Sequence, residues 1–291
     1  FYNSKKPLTN LTYLESGQKR YREEHLEITH SQNITPSMSA NVQYKARSTM
    51  GLYDWQRTKN HALSVGLAHT GKRYSVHAAY MNNMIDTREN GGVVGEWAIA
   101  DTVFEMPSGV PMRLASAEAE NHYRNNAFFV KQAYAIPLER VTEYDFSLAD
   151  LSAVFIGHQF EFNTWSKVYT DKRATYTNER GQYDDKGNYT PTTHEYYENW
   201  YIDPKTTRDS ISERLISNKL YVQIQPWDRN GAVSTIDAGV GLDLHTYSYL
   251  NLENYIAGKM TRDHRTSWYA YGATGGHIKR YADWGVDVKY Y

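Results

Sequence analysis

Asp237, Asp243 and His245 lie at even spacings within TIDAGVGLDLHT, residues 235–246. On an extended backbone, side chains two residues apart share a face. Two carboxylates and an imidazole on one face are the groups that bind a divalent cation or relay a proton. The same groups also suit a solvated polar wall, where they stay ionised and bias which ions approach. The rest of the sequence favours the wall. There are 11 histidines but no His-Glu-x-x-His pair, no Gly-x-Ser-x-Gly elbow and no Gly-rich phosphate loop opening a helix. GATGG (272–276) reads as a tight turn at a strand end, and SAEAEN (116–121) as a short helix. YDDKGN (183–188) lacks the spacing of a calcium loop. Cysteine is absent, which excludes disulfides, thiolate nucleophiles and Cys-held metals. The expectation is a non-enzyme with no cofactor and no metal.

The elements that carry these groups alternate polar and apolar residues. In SMSANVQYKAR (37–47), Met38, Ala40, Val42, Tyr44 and Ala46 face one way and Ser39, Asn41, Gln43, Lys45 and Arg47 the other. The pattern returns at 61–69, 74–80, 127–136, 152–164, 215–225 and 235–246, with weaker runs at 8–15, 22–32, 267–274 and 284–291. Gln132 and His158 interrupt otherwise apolar faces. These runs predict about eleven strands. Connections at 33–36, 70–73 and 226–231 are short and 137–150 is intermediate, whereas 48–60, 83–125, 167–213 and 247–266 are long and polar. Apolar stretches in 83–125, GGVVGEWAIA and VPMRLA, predict that this segment packs inside a barrel or against a partner.

Composition bears on what the oily faces touch. The chain is only 40% hydrophobic, yet 14% aromatic with 26 tyrosines. A soluble core leans on Leu, Ile and Val, and disorder is poor in aromatics; tyrosine suits a membrane–water interface. Aromatics fall near run ends at Tyr44, Tyr74, Tyr80, Phe128, Tyr134, Phe162, Trp284 and Tyr290. No apolar run approaches the length of a transmembrane helix, but a transmembrane strand needs only about 9–11 residues. No basic-then-apolar segment opens the chain, so any signal peptide is taken to have been removed. A net charge of −1 gives nucleic acid no compositional support.

The pattern therefore predicts an all-β fold, an antiparallel transmembrane up-and-down β-barrel in a single domain over residues 1–291. The lipid-facing set is Val42, Tyr44, Leu63, Val65, Val76, Val154, Ile156, Leu220, Val222, Val240 and Leu242. The lumen-facing set is Lys45, Arg47, Lys131, Glu161, Lys219, Asp237, Asp243 and His245. Bacterial single-chain barrels close with an even strand number, so eleven strands predict part of a larger barrel, incomplete at its C-terminal end.

Two stretches resemble a known family. Residues 7–45 carry Pro7, Thr9, Leu11, Tyr13 and Gly17, then Glu23 and Glu24, then His30, Gln32, Asn33 and Pro36. This is similar to the N-terminal part of the putative porin family of Bacteroides-type Gram-negative bacteria. YYENWYIDPKTTRDSISERLISNKLYVQI (196–224) is similar to a loop-to-strand segment of the same family. The resemblance implies a bacterial outer-membrane protein passing small hydrophilic solutes or ions by passive diffusion. Its partners would be outer-membrane lipid and lipopolysaccharide, the solutes, and other outer-membrane proteins or lipoproteins. Two other readings remain open at this point: a non-conducting accessory barrel of a larger assembly, and a soluble carbohydrate-binding β protein.

Overall fold

The computed structural model describes residues 6–18, 21–95, 99, 107–115, 117–138, 153–172, 175–177, 182–183, 185–187, 189–190, 193–197, 205–225, 234–250, 256–257, 259–278 and 282–290. Eleven strands build one antiparallel sheet: β1 (Leu8–Ser16), β2 (Glu23–Thr35), β3 (Met38–Thr49), β4 (Thr58–Thr70), β5 (Tyr74–Arg88), β6 (Glu120–Pro137), β7 (Ala153–Lys172), β12 (Thr206–Gln225), β13 (Ser234–Tyr249), β14 (Thr261–Ile278) and β15 (Ala282–Tyr290). Between β7 and β12 lie two-residue to three-residue strands, β8 (Thr175–Thr177), β9 (Gln182–Tyr183), β10 (Tyr189–Thr190) and β11 (Thr193–Glu195). They form two small hairpins.

Every strand of the large sheet pairs with its neighbours in sequence, the up-and-down order that hydrophobic alternation predicts. The sheet is open: among the described residues β1 pairs only with β2 and β15 only with β14. The strand ends joined through 36–37, 71–73, 138–152, 226–233 and 279–281 lie at one end of the sheet, and those joined through 17–22, 50–57, 89–119, 173–205 and 250–260 at the other. The two longest links, 89–119 and 173–205, lie on the long-loop side as the sequence suggested, but 17–22 on that side is short and 138–152 on the other is longer than 50–57 and 250–260.

Cross-strand partners point to the same face, so the register carries one face across the whole sheet. Leu11 pairs with Ile28, Ile28 with Tyr44 and Tyr44 with Leu63, while on the later strands of the same face Leu220 pairs with Val240, Val240 with Ala270 and Ala270 with Tyr290. This face is apolar and uncovered. Val42 is 40% exposed, Ile156 52%, Leu220 58% and Val240 53%. No second large sheet packs on it among the described residues. The dry interior that a soluble sandwich requires is missing from the described structure.

The strands run beyond their predicted bounds. GATGG lies inside β14 rather than in a turn: Gly272 pairs with Ala238 and Val288, and Gly276 with Trp284. Ladder bonds on both sides override the poor strand preference of glycine. SAEAEN forms no helix in its described part. Ala117 and Ala119 are fully buried against Leu114, Tyr169 and Tyr196, and Glu120 starts β6.

Candidate functional site

The second face of the sheet is polar, and the register brings all eight predicted lumen residues onto it. His77, Lys131, Gln159, Lys219, Gly241 and Tyr269 form one row running from β5 to β14. Glu161, Ser217 and Asp243 lie in the row beside it. The eleven residues predicted to face lipid all lie on the opposite, apolar face. Lys45 and Arg47 are on β3, where Lys45 Nζ meets Glu27 Oε1 at 3.1 Å.

Asp237, Asp243 and His245 share the polar face but each has its own partner. Tyr271 donates its hydroxyl to Asp237 at 2.6 Å, and Ser217 donates to Asp243 at 2.6 Å. His245 Nδ1 lies 2.9 Å from Glu213 Oε1, with the ring stacked on Tyr247 at 4°. These contacts tie the three side chains to separate neighbours, so they do not converge on one ion or one substrate atom.

The middle of the wall has a construction the sequence did not reveal. Tyr221 pairs with both Gly157 and Gly239, Tyr271 with Gly239, and Tyr269 with Gly241. A Cβ on Gly157 would fall 2.1 Å from Tyr221 Cζ, and one on Gly241 would fall 2.1 Å from Tyr269 Cζ. The phenols therefore lie flat over glycine backbone, as aromatic rings do when they cover a strand glycine. Lysines rest on the rings: Lys219 Nζ is 3.7 Å from the Tyr271 centroid, and Lys289 Nζ 3.7 Å from that of Tyr269. Lys131 reaches Tyr221 at 5.3 Å. The lysines carry fixed positive charge, held near the wall by ring quadrupoles, with Asp237 alongside.

The described parts of the long connection 89–119 fold over this face at the long-loop end. Leu114, Ala117 and Ala119 pack on Tyr169, a polar-face residue of β7, and on Tyr196. Val94, Val110 and Met112 form a second cluster with Tyr53 and Tyr176. Val94 is 4% exposed and Leu114 3%, as expected of a segment packed inward; Trp97 lies outside the described residues. Lys172 Nζ meets Glu118 Oε2 at 2.5 Å and holds that carboxyl below its usual range. Burial and the nearby Asp171 carboxylate push the Tyr197 phenol up, and its hydroxyl lies 2.7 Å from that of Tyr169. Beneath the connection is a recess of ≈ 650 Å³, walled by Leu114, Lys167, Tyr169, Asp209 and Tyr249 among others.

A chain of polar groups interrupts the apolar face at mid-height. Tyr74 donates to Gln132 at 2.7 Å, Gln132 Nε2 lies 3.5 Å from His158 Nδ1, and His158 Nε2 lies 3.4 Å from Asn218 Oδ1. Linking them to one another lowers the cost of placing polar groups in an oily surface.

Comparison with known proteins adds three findings. A family model described as a putative porin matches residues 1–290. No curated protein matches the sequence. Among solved structures, the open form of the ferric-catecholate import receptor Fiu from E. coli K12 is similar, with a TM-score of 0.53 at 9% identity. The match covers 89% of this chain and 40% of the receptor, and at that identity the likeness is one of fold.

Proposed function

Since the chain belongs to the putative porin family, we propose that it forms part of the wall of an outer-membrane β-barrel. Small hydrophilic solutes or ions would cross by passive diffusion through its water-filled lumen. One observation carries the reading: a single sheet exposes a broad apolar band on one face while its other face holds ionised and hydroxyl groups. Soluble proteins rarely expose apolar patches beyond a few hundred Å², and in hydrocarbon only a closed sheet satisfies its backbone. On this reading Val42, Tyr44, Leu63, Val65, Val76, Val154, Ile156, Leu220, Val222, Val240 and Leu242 touch acyl chains. Lys45, Arg47, Lys131, Glu161, Lys219, Asp237, Asp243 and His245 face water. Further strands meet β1 and β15 to close the wall. Selection is by width and charge, with no chemical turnover, cofactor or metal.

The folded connection 89–119 favours a second reading, a non-conducting accessory barrel whose lumen the loops fill. Planar-bilayer recording on the full-length protein separates the two. Stepwise currents are expected of the porin; an inserted protein without current is expected of the accessory barrel.

A further inference from the structure

Beyond the apolar band, on the long-loop side, the apolar face of β7, β12, β13 and β14 turns cationic. Four sequence-adjacent acid–base pairs lie here: Asp171–Lys172, Arg208–Asp209, Glu213–Arg214 and Arg262–Asp263. Strand alternation splits each pair. The register sends every base to the apolar face and every acid to the polar face. On β7, β12, β13 and β14 no carboxylate at all remains on the apolar face in this zone, where the residues are Thr164, Ser166, Arg214, Ser212, Thr246, Ser248, His264 and Arg262 with their neighbours.

These residues form two adjoining rows. Arg124, Ser166, Ser212, Ser248 and Arg262 are cross-strand partners in one, and Asn126, Thr164, Arg214, Thr246 and His264 in the other. Arg124 is already committed to Asp86 at 2.8 Å. Arg214 and Arg262 are exposed and have no carboxylate partner among the described residues. Together with Arg124 and His264 they border a depression of ≈ 340 Å³; Glu213, which also lines it, is turned to His245 at 2.9 Å. The next row toward the short-turn side is Phe128, Phe162, Ile216 and Leu244, about 7 Å away at the rise of a strand.

We propose that Arg214 and Arg262, with the hydroxyls between them, bind the phosphate of a phosphorylated lipid in the outer leaflet. Two guanidinium forks and a row of hydroxyl donors fit a tetrahedral oxyanion better than a carboxylate. The oily rows next to the site call for acyl chains on the same ligand. The site rests on the proposed membrane reading, in which the apolar face meets lipid and the long loops are external.

The test uses full-length protein in non-ionic detergent and native mass spectrometry. The ligands are bis-phosphorylated lipid A, its dephosphorylated form with the same acyl chains, and inorganic phosphate. The wild type is expected to retain the phosphorylated lipid over both others. The double variant Arg214→Gln/Arg262→Gln is expected to weaken that binding about tenfold or more, while Arg265→Gln on the polar face leaves it unchanged. Should the double variant fail to fold, Arg214→Lys, which keeps charge but loses the fork, is expected to weaken binding alone. Equal binding of the two lipids, inorganic phosphate held as tightly as lipid, or variants that bind like wild type overturn the site. If such a protein still inserts into bilayers, only the site falls. A wild type that stays in solution without detergent overturns the membrane reading, and the site with it.

Discussion

Lys219 and Lys289 lie on phenol rings rather than hanging loose, so their charge has a fixed address on the polar face. If that face lines the lumen, reversing one such charge changes which ion passes more freely. Lys219→Glu is expected to move the reversal potential of the full-length protein in a salt gradient toward cation preference, and Asp237→Asn the opposite way. An unchanged potential in both would mean the row does not face the conducting water. The rings depend on the glycines beneath them. Gly157→Val must displace Tyr221, an overpacking cost of about 1–3 kcal/mol. A lower urea midpoint for refolding in micelles checks it, and Tyr221→Ala in the same chain should relieve part of the loss. The face of Lys131, Lys219 and Asp237 was readable from alternation alone. The glycine–tyrosine stacking was not, because Gly157 and Tyr221 lie in separate strands and meet only once their register is known.

At the scale of elements, the connection 89–119 is held by buried apolar contacts and by the Glu118–Lys172 ion pair. Leu114→Asp puts a charge among Ala117, Ala119 and Tyr169 and is expected to free the segment, seen as faster limited proteolysis with the strands intact. The ion pair gives this anchoring a pH dependence. Glu118 titrates below its ordinary value because Lys172 favours the carboxylate. Its contribution is therefore complete above the ordinary glutamate pKa of about 4.3 and fades as pH falls through the lowered value. Proteolysis of the segment by an acid-active protease should accelerate on acidification in wild type and show a flatter profile in Glu118→Gln. The sequence located this packed segment through its misplaced apolar residues, and it located each long strand. It misjudged their ends, since alternation fades where β7 and β12 leave the apolar band and polar residues take both faces. It also took GATGG for a turn, because glycine weakens a strand on its own but not between two paired neighbours.

For the whole molecule, the decisive question is which solvent each face meets. The chain has no cysteine, so single-cysteine variants at Val65, Val240, Lys219 and Asp243 can each carry one fluorophore. In liposomes, labels at 65 and 240 are expected to be quenched by bilayer-phase nitroxides and those at 219 and 243 by aqueous iodide. The reverse result would remove the membrane assignment. The existence of an oily and a wet face was legible from one strand. The open edges at β1 and β15 and the sorting of acids from bases were not, since both are properties of the assembled register. Strand length carries a further consequence. β1 and β15 have 9 residues each, and β7 and β12 have 20 each. At about 3.3 Å per residue the central pair runs about 65 Å, or about 50 Å upright after a barrel tilt near 40°, against an oily belt of about 25 Å. The excess lies entirely toward the long loops, past Phe162 and Ile216. If the sheet is part of an outer-membrane barrel wall as proposed, its rim on the long-loop side is a lopsided parapet, tall at β7 and β12 and low at β1 and β15, and solutes would reach the mouth over the lower flanks.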